Sequence, residues 1–426
     1  MSYFYCTKLN ENMFGFMPND EVHPCCWPTS PTIASLSELK NDLSDKNVES
    51  FVHKVINNLN HIVESIKKGN VPVYCQECPN LASTYDQSKI KNLSAPLSRL
   101  GLFHFHTCNL KCSFCVNQKY PSQYKDTDSD FVLNLLKKML DMNLICKSTW
   151  FDIAGGEPSI NRKIEKIVSW IQQNNLHCWI SSNATRLSQI FVDAVNDGTC
   201  ILYLTLDAGS RSVYTKIKGV DLFEKCIKNI LSYQKKTNSK ANVKFVLNLN
   251  NYQDVENMVA VCQSTKSKNV VVSYDYFLSK EAESTIRNSL VEFVQKSENV
   301  DVRLNFDYKY KDVSTYDAIM QECYKKLHLE HHQKDEIFLY CANSLSQKLY
   351  NIMKDKYSVK AVFDKNATHI SDSVKSSFDC PLIPFDKNAI SKNSTIVICS
   401  YRYGDELKSY LEDILKNVPK TILLFP

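Results

Sequence analysis

HTCNLKCSFC, residues 106–115, sets three cysteines on one short stretch: Cys108, Cys112 and Cys115, separated by three and then two residues. Three thiolates on one loop can hold three corners of a cubane iron–sulfur cluster and leave the fourth iron without a protein ligand. A structural zinc site normally closes with four ligands, so an open set of three favours a reactive metal, with a zinc knuckle as the alternative. The stretch follows RLGLFHF (99–105), an apolar run that reads as a strand. The chain around it therefore decides whether the loop belongs to a larger architecture.

From about 97 to 305 strand-like and helix-like segments alternate. RLGLFHF, STWFDIA, LHCWIS, CILYLTLD, NVKFVLNL and NVVVSYDYF read as strands. Each is followed by an amphipathic segment such as DFVLNLLKKMLDM or INRKIEKIVSWIQQN. Six such units predict parallel strands with helical crossovers. The second strand ends in AGGEP (154–158), the third in SSN (181–183) and the fourth in TLDAGS (205–210). These sit at the carboxyl ends of successive strands, where β/α barrels place their active sites. His104 and His106 alternate on the first strand and share a face. They line the barrel or are hydrogen-bonded interior histidines.

The three-cysteine spacing after the first strand, with Phe114 before the last cysteine, resembles the radical S-adenosylmethionine (SAM) enzymes. The resemblance implies a partial (β/α)6, TIM-like barrel in an α/β fold. It implies a 4Fe–4S cluster on Cys108, Cys112 and Cys115, whose open iron is chelated by SAM. It also implies cofactor-contacting roles for Phe114, Gly155, Gly156, Glu157, Ser182, Asn183 and Asp207. Gly155-Gly156-Glu157 matches the motif that receives the cofactor's amino group, and glycines let backbone approach a ligand closely. Asn183 also reads as a turn or cap residue, and Asp207 as a loop cap.

A second cysteine group precedes the barrel: Cys6, Cys25 and Cys26 in HPCCWP, and Cys75 and Cys78 in YCQECPN. It offers four ligands with one to spare, which suits a closed iron–sulfur cluster or zinc. Residues 36–68 between them read as helical, ending at Gly69. The segment resembles the auxiliary-cluster segments called SPASM or twitch. It departs from them in preceding the barrel and in placing Asp20 where a glycine is expected. The resemblance implies a second 4Fe–4S cluster on Cys6, Cys25, Cys75 and Cys78, with Cys25 preferred over Cys26 by spacing.

The expected organisation is a Cys-rich segment over 1–96, the barrel over 97–305, a linker over 306–335 and a small α/β domain over 336–426. That last domain resembles Rossmann-like tails of some sugar-modifying proteins, but YCANSLSQ lacks the glycine-rich turn of a dinucleotide site. Seventeen Cys in a chain without a signal-peptide pattern suit a reducing compartment, so the cytoplasm is expected. A net charge of +5 is too weak to argue for nucleic acid, and no apolar run reaches the length of a membrane span. The expected activity is reductive cleavage of SAM followed by hydrogen abstraction, with a flavodoxin or ferredoxin as electron donor and possible net oxidation of the substrate. A carbohydrate or nucleotide-sugar substrate comes first, on the tail's likeness alone. Maturation of a ribosomally made peptide and a non-catalytic iron–sulfur or zinc protein are the other readings.

Overall fold

The computed structural model describes residues 3–25, 30–76, 78, 81–84, 87–115 and 125–275, part of 278–293, then 303–306 and most of 336–423. The chain divides into two compact units, one spanning residues 1–279 with 307–309, the other the remainder.

In the first unit, β1 (Tyr3–Cys6) leads to β2 (Met13–Phe16), β3 (Glu21–His23) and β4 (Ala34–Ser35). Helix α1 (Asp45–Lys67) buries Val48, Phe51, Val52, Val55, Leu59, Val63 and Ile66, a stripe at the helical period. The helix begins at Asp45 rather than at 36, where Leu36–Leu39 form a separate 3-10 turn, and Gly69, at φ +87°, follows its end as expected. β5 (Leu81–Thr84) returns antiparallel to β1, with Cys6 opposite Leu81.

The six expected barrel strands then follow: β6 (Leu97–Leu102), β7 (Ile145–Ile153), β8 (His177–Ser182), β9 (Cys200–Thr205), β10 (Asn242–Leu247) and β11 (Asn269–Tyr274). Each pairs in parallel with the next in sequence. The intervening helices include α2 (Ser129–Asp141), α3 (Arg162–Gln173), α4 (Gln189–Asn196), α5 (Arg211–Lys218), α6 (Phe223–Lys236) and α7 (Val255–Ser264). A parallel pair needs such a crossover, and the helices cover one sheet face. The amino-terminal strands extend this sheet: β2 pairs in parallel with β6, and β3 and β4 add antiparallel strands beyond it.

Alternation along the strands divides the two faces. Leu100, Phe151, Cys178 and Leu202 are fully buried or nearly so. The opposite face is half-buried and carries Arg99, Trp150, Asp152, His177 and Trp179. There Arg99 bonds Asp152 at 2.8 Å and Glu11 at 2.9 Å, and its guanidinium lies 4.0 Å from the Trp179 ring centre. Trp150 stacks between Trp179 and His177. Across this face one ladder of stacked rings and charge ties three strands together.

The second unit holds β12 (Arg303–Phe306) and a five-stranded parallel sheet. Its strands are β13 (Glu336–Tyr340), β14 (Val359–Phe363), β15 (Leu382–Ile383), β16 (Ser394–Ile398) and β17 (Lys420–Leu423), with helices α8 (Ser344–Met353) and α9 (Gly404–Leu415). The order is β15-β14-β13-β16-β17, a doubly wound arrangement starting from a central strand. Both faces are apolar: Ile337, Leu339, Val362 and Val397 pack on one, and Phe338, Tyr340, Phe363 and Ile396 on the other. Among the described residues no helix is long and apolar enough to cross a membrane.

Candidate active site

β6 ends at Leu102, earlier than its apolar run suggests, and the chain then crosses the carboxyl edge of the sheet. His104 is fully buried, with Nε2 3.0 Å from the Ser129 hydroxyl, so it is the interior histidine rather than a lining one. His106 is half-buried and pairs through Nδ1 with Asp126 at 2.6 Å. The His106 amide and the Thr107 hydroxyl donate to Asp126 at 2.8 and 2.6 Å. Burial raises the Asp126 carboxyl, but these bonds outweigh it and hold the group below the usual range.

Backbone bonds fix the loop on both sides. The Gly156 and Glu157 amides donate to the Phe105 and Thr107 carbonyls, both at 2.9 Å. The Lys111 and Ser113 amides donate to the Lys218 and Ile217 carbonyls at 3.0 and 2.8 Å. Cys108 lies between these anchors, Cys112 within the second and Cys115 just beyond it. The Leu110 amide and Asn183 Nδ2 approach Cys108 Sγ at 3.5 and 3.8 Å. Burial raises the Cys108 thiol, and it raises Cys112 to about 11 against the opposing pull of Lys218. Glu157 and Cys115 add to the rise at Cys108, and Asp207, Cys115 and Cys108 to that at Cys112. The thiols are thus neighbours, though among the described residues no three His, Cys, Asp or Glu side chains close on one point as a metal cage.

The glycine pair is demanded by this close packing. A Cβ on Gly155, at φ +124°, would lie 2.4 Å from the Phe105 carbonyl oxygen. One on Gly156 would lie 2.2 Å from that of Thr107. Glu157 is buried and accepts from the Ser182 hydroxyl at 2.8 Å, the Asn183 amide at 2.6 Å and the Ser159 amide at 2.9 Å. Burial pushes its carboxyl up and those donors oppose the rise. Asn183 Nδ2 also donates to Asn109 Oδ1 at 3.0 Å, and Asn109 Nδ2 to Thr185 at 2.9 Å. One network therefore joins the ends of β7 and β8 to the cysteine loop.

Asp207 lies just past β9, at φ +64°. One carboxylate oxygen accepts from the Val246 amide at 2.7 Å and the other from the Lys218 ammonium. Burial alone would depress Lys218; Asp207 and Cys112 outweigh it and hold the cation. Phe114 faces that ammonium, 5.6 Å from its ring centre. The sequence reading missed Lys218, Asn109, Asp126 and Thr185. Gly219, at φ +72°, marks the end of α5, but nothing in KIKGV distinguishes a buried lysine from a surface one.

The amino-terminal thiols of Cys6, Cys75 and Cys78 lie within electrostatic reach of one another. Burial raises Cys6, with the Leu9 and Lys8 amides opposing and Cys78 adding. Burial raises Cys75 to about 12, with Cys6 and Cys78 adding. Tyr74 is raised to about 12, first by burial and then by Cys75, Cys25 and Cys6. Cys26 lies outside the described residues.

Six parallel strands, β6 to β11, thus carry three thiols on the loop that follows the first of them. Residues 102–262 match the family model of the Radical SAM superfamily, which supports an enzyme of radical SAM type. Its cofactors are the superfamily's 4Fe–4S cluster and SAM. A "Probable GTP 3′,8-cyclase" of Saccharolobus islandicus (strain Y.N.15.51 / Yellowstone #2) is 25% identical over 178 residues, 41% of this chain. The counterpart from Saccharolobus solfataricus is 24% identical over the same length. The chain spans 56% of the length of these relatives. Among solved structures, Streptococcus suis SuiB bound to SAM has a TM-score of 0.40 at 15% identity, over 76% of this chain and 65% of that one. Native anSMEcpe with bound AdoMet has a TM-score of 0.41 at 15% identity, over 53% and 65%.

Proposed function

We propose that Cys108, Cys112 and Cys115 hold the 4Fe–4S cluster and that the enzyme acts on a carbohydrate or nucleotide-sugar. The observation that carries the first part is the position of the three thiols. They lie on one loop, held by the Gly155-Gly156 turn on one side and the end of α5 on the other. The Cys108 sulfur already has N–H donors aimed at it, and the local packing leaves no room for side chains on the two glycines. When bound, the cluster and SAM supply a 5′-deoxyadenosyl radical for hydrogen abstraction. Gly155 and Gly156 offer backbone to the methionine end of SAM, and Ser182 and Asn183 contact its ribose or carboxylate. Glu157 holds Ser182 and Asn183 in place through its three hydrogen bonds. Phe114 shields the loop, and Asp207 acts through Lys218. A flavodoxin or ferredoxin supplies the electron.

Cys6, Cys25, Cys75 and Cys78 form a closed second site in the 1–96 segment, a 4Fe–4S cluster in preference to zinc. The mutual electrostatic reach of Cys6, Cys75 and Cys78, with Cys25 near the Tyr74 that Cys75 and Cys6 also face, supports it. Two features favour the substrate class. The matched relatives are named for action on GTP, a nucleotide bearing a sugar. The 336–426 segment is doubly wound, an architecture that binds small molecules where its strand order reverses.

Anaerobic reconstitution with iron counting tests the whole reading. About eight irons per chain are expected for two cubanes, about four if the second site takes zinc. The reduced protein should release 5′-deoxyadenosine from SAM. Its failure to do so with sugar nucleotides present sinks the proposed chemistry.

A further inference from the structure

Lys218 ends α5 at a position where lysines usually face water. Its side chain is only 2% exposed, as is that of its partner Asp207. A buried ammonium is costly unless paired, and here the pairing is complete: Asp207, the Thr205 carbonyl at 3.3 Å and the Phe114 ring surround it. The same residue's carbonyl accepts the Lys111 amide, inside the three-cysteine loop. Gly219, the next residue, packs so closely that a Cβ there would lie 3.1 Å from Lys111. One residue thus fixes the loop by its backbone and places a charge against it by its side chain.

We propose that Lys218 is a positioning residue for the cluster: its buried ammonium, anchored by Asp207, raises the reduction potential of the centre on Cys108, Cys112 and Cys115. The inference rests on the cysteine assignment proposed above. Reduction adds one negative charge to a centre already carrying three thiolates. A fixed cation in a poorly screened site stabilises the more negative state. Asp207 offsets part of this; the ammonium is the group that lies over Phe114 of the cysteine loop, 5.6 Å from its ring centre.

The test uses the full chain with Cys75→Ala and Cys78→Ala, leaving one cluster, and a redox titration followed by electron paramagnetic resonance. Lys218→Arg should keep the parental potential. Lys218→Met should shift it to more negative values, by about tenfold in the reduction equilibrium or about 59 mV for one electron. Lys218→Met with Asp207→Asn removes both buried charges and should fall between. A purely structural lysine would cost iron content without moving the potential of what remains. Parental potentials in both methionine variants at full iron overturn the proposal. If the single methionine variant does not hold its cluster, the double variant decides alone. Loss of iron in Lys218→Arg as well shows a steric role and also overturns it. In the same background Cys108→Ala must lose the iron; if it keeps it, the cysteine assignment fails rather than the lysine.

Discussion

Cys108, Cys112 and Cys115 share one loop, whereas Cys6, Cys25, Cys75 and Cys78 come from separate segments brought together by the β1–β5 ribbon and the turns beside it. In the loop, spacing in sequence does most of the positioning. Backbone bonds to the Gly155-Gly156 turn and to α5 only hold it in place. The amino-terminal group instead depends on closing a long stretch of chain, which must be ordered before its thiols can meet. The electrostatics differ as well. A fully buried lysine stands beside the loop, while the amino-terminal Cys6 is eased by the Leu9 and Lys8 amides. On the proposed reading, one site changes charge and the other stays closed.

The largest test of this contrast exchanges which set is removed. Cys108→Ala, Cys112→Ala and Cys115→Ala together should abolish SAM cleavage and lose about four irons. Cys75→Ala with Cys78→Ala should lose about the same iron but leave SAM cleavage measurable, with substrate turnover lost. If both sets abolish cleavage equally, the division of labour is wrong.

Gly156→Ala comes next. The added methyl meets the Thr107 carbonyl, and neither partner is a flexible side-chain end. It should cost about 3 kcal/mol, the upper part of the overpacking range. Chemical denaturation measures the loss, and SAM binding should fall at least tenfold while the amino-terminal cluster is retained.

A smaller effect is set by pH. Burial lowers His104 to about 4 despite the opposing charges of Asp126 and Asp128. The proton therefore prefers the unfolded chain. Stability is full above about 6.5, the unperturbed histidine value, and declines as pH falls toward 4. The decline amounts to about 2–3 kcal/mol. Denaturation at pH 7 and pH 4.5 should show it, and His104→Gln should flatten the slope.

Much of the barrel was legible because each strand–helix unit carries its own period. Fully buried helix stripes such as Ile164, Ile167, Val168 and Ile171 repeat at three and four. The strands β2, β3 and β4 were not legible. MFGF is buried at every position and too short to show alternation, so only its pairing with β6 reveals it. In the site, the cysteines and Gly155-Gly156 announce themselves by type and spacing. Lys218 does not, since burial of a lysine depends on a partner eleven residues away. Nor does the bonding of Glu157, whose partners Ser182 and Asn183 arrive from the next strand. Contacts made across strands leave no period in the sequence.

The finest difference between the two groups is the kind of donor that faces sulfur. At Cys6 the donors are backbone amides, which substitution does not remove. At Cys108 one donor is the Asn183 side chain, which also bonds Asn109 and accepts from Thr185. Asn183→Ala deletes the side-chain donor but leaves the Asn183 amide on Glu157, so the turn should keep its course. A single neutral hydrogen bond contributes about 1 kcal/mol, which makes a several-fold weakening of SAM binding the expected result. Isothermal titration of the reconstituted protein reads it directly. Unchanged affinity with full iron would place Asn183 in the architecture of the turn alone, and the parallel with Cys6 would then be one of backbone donors at both sites.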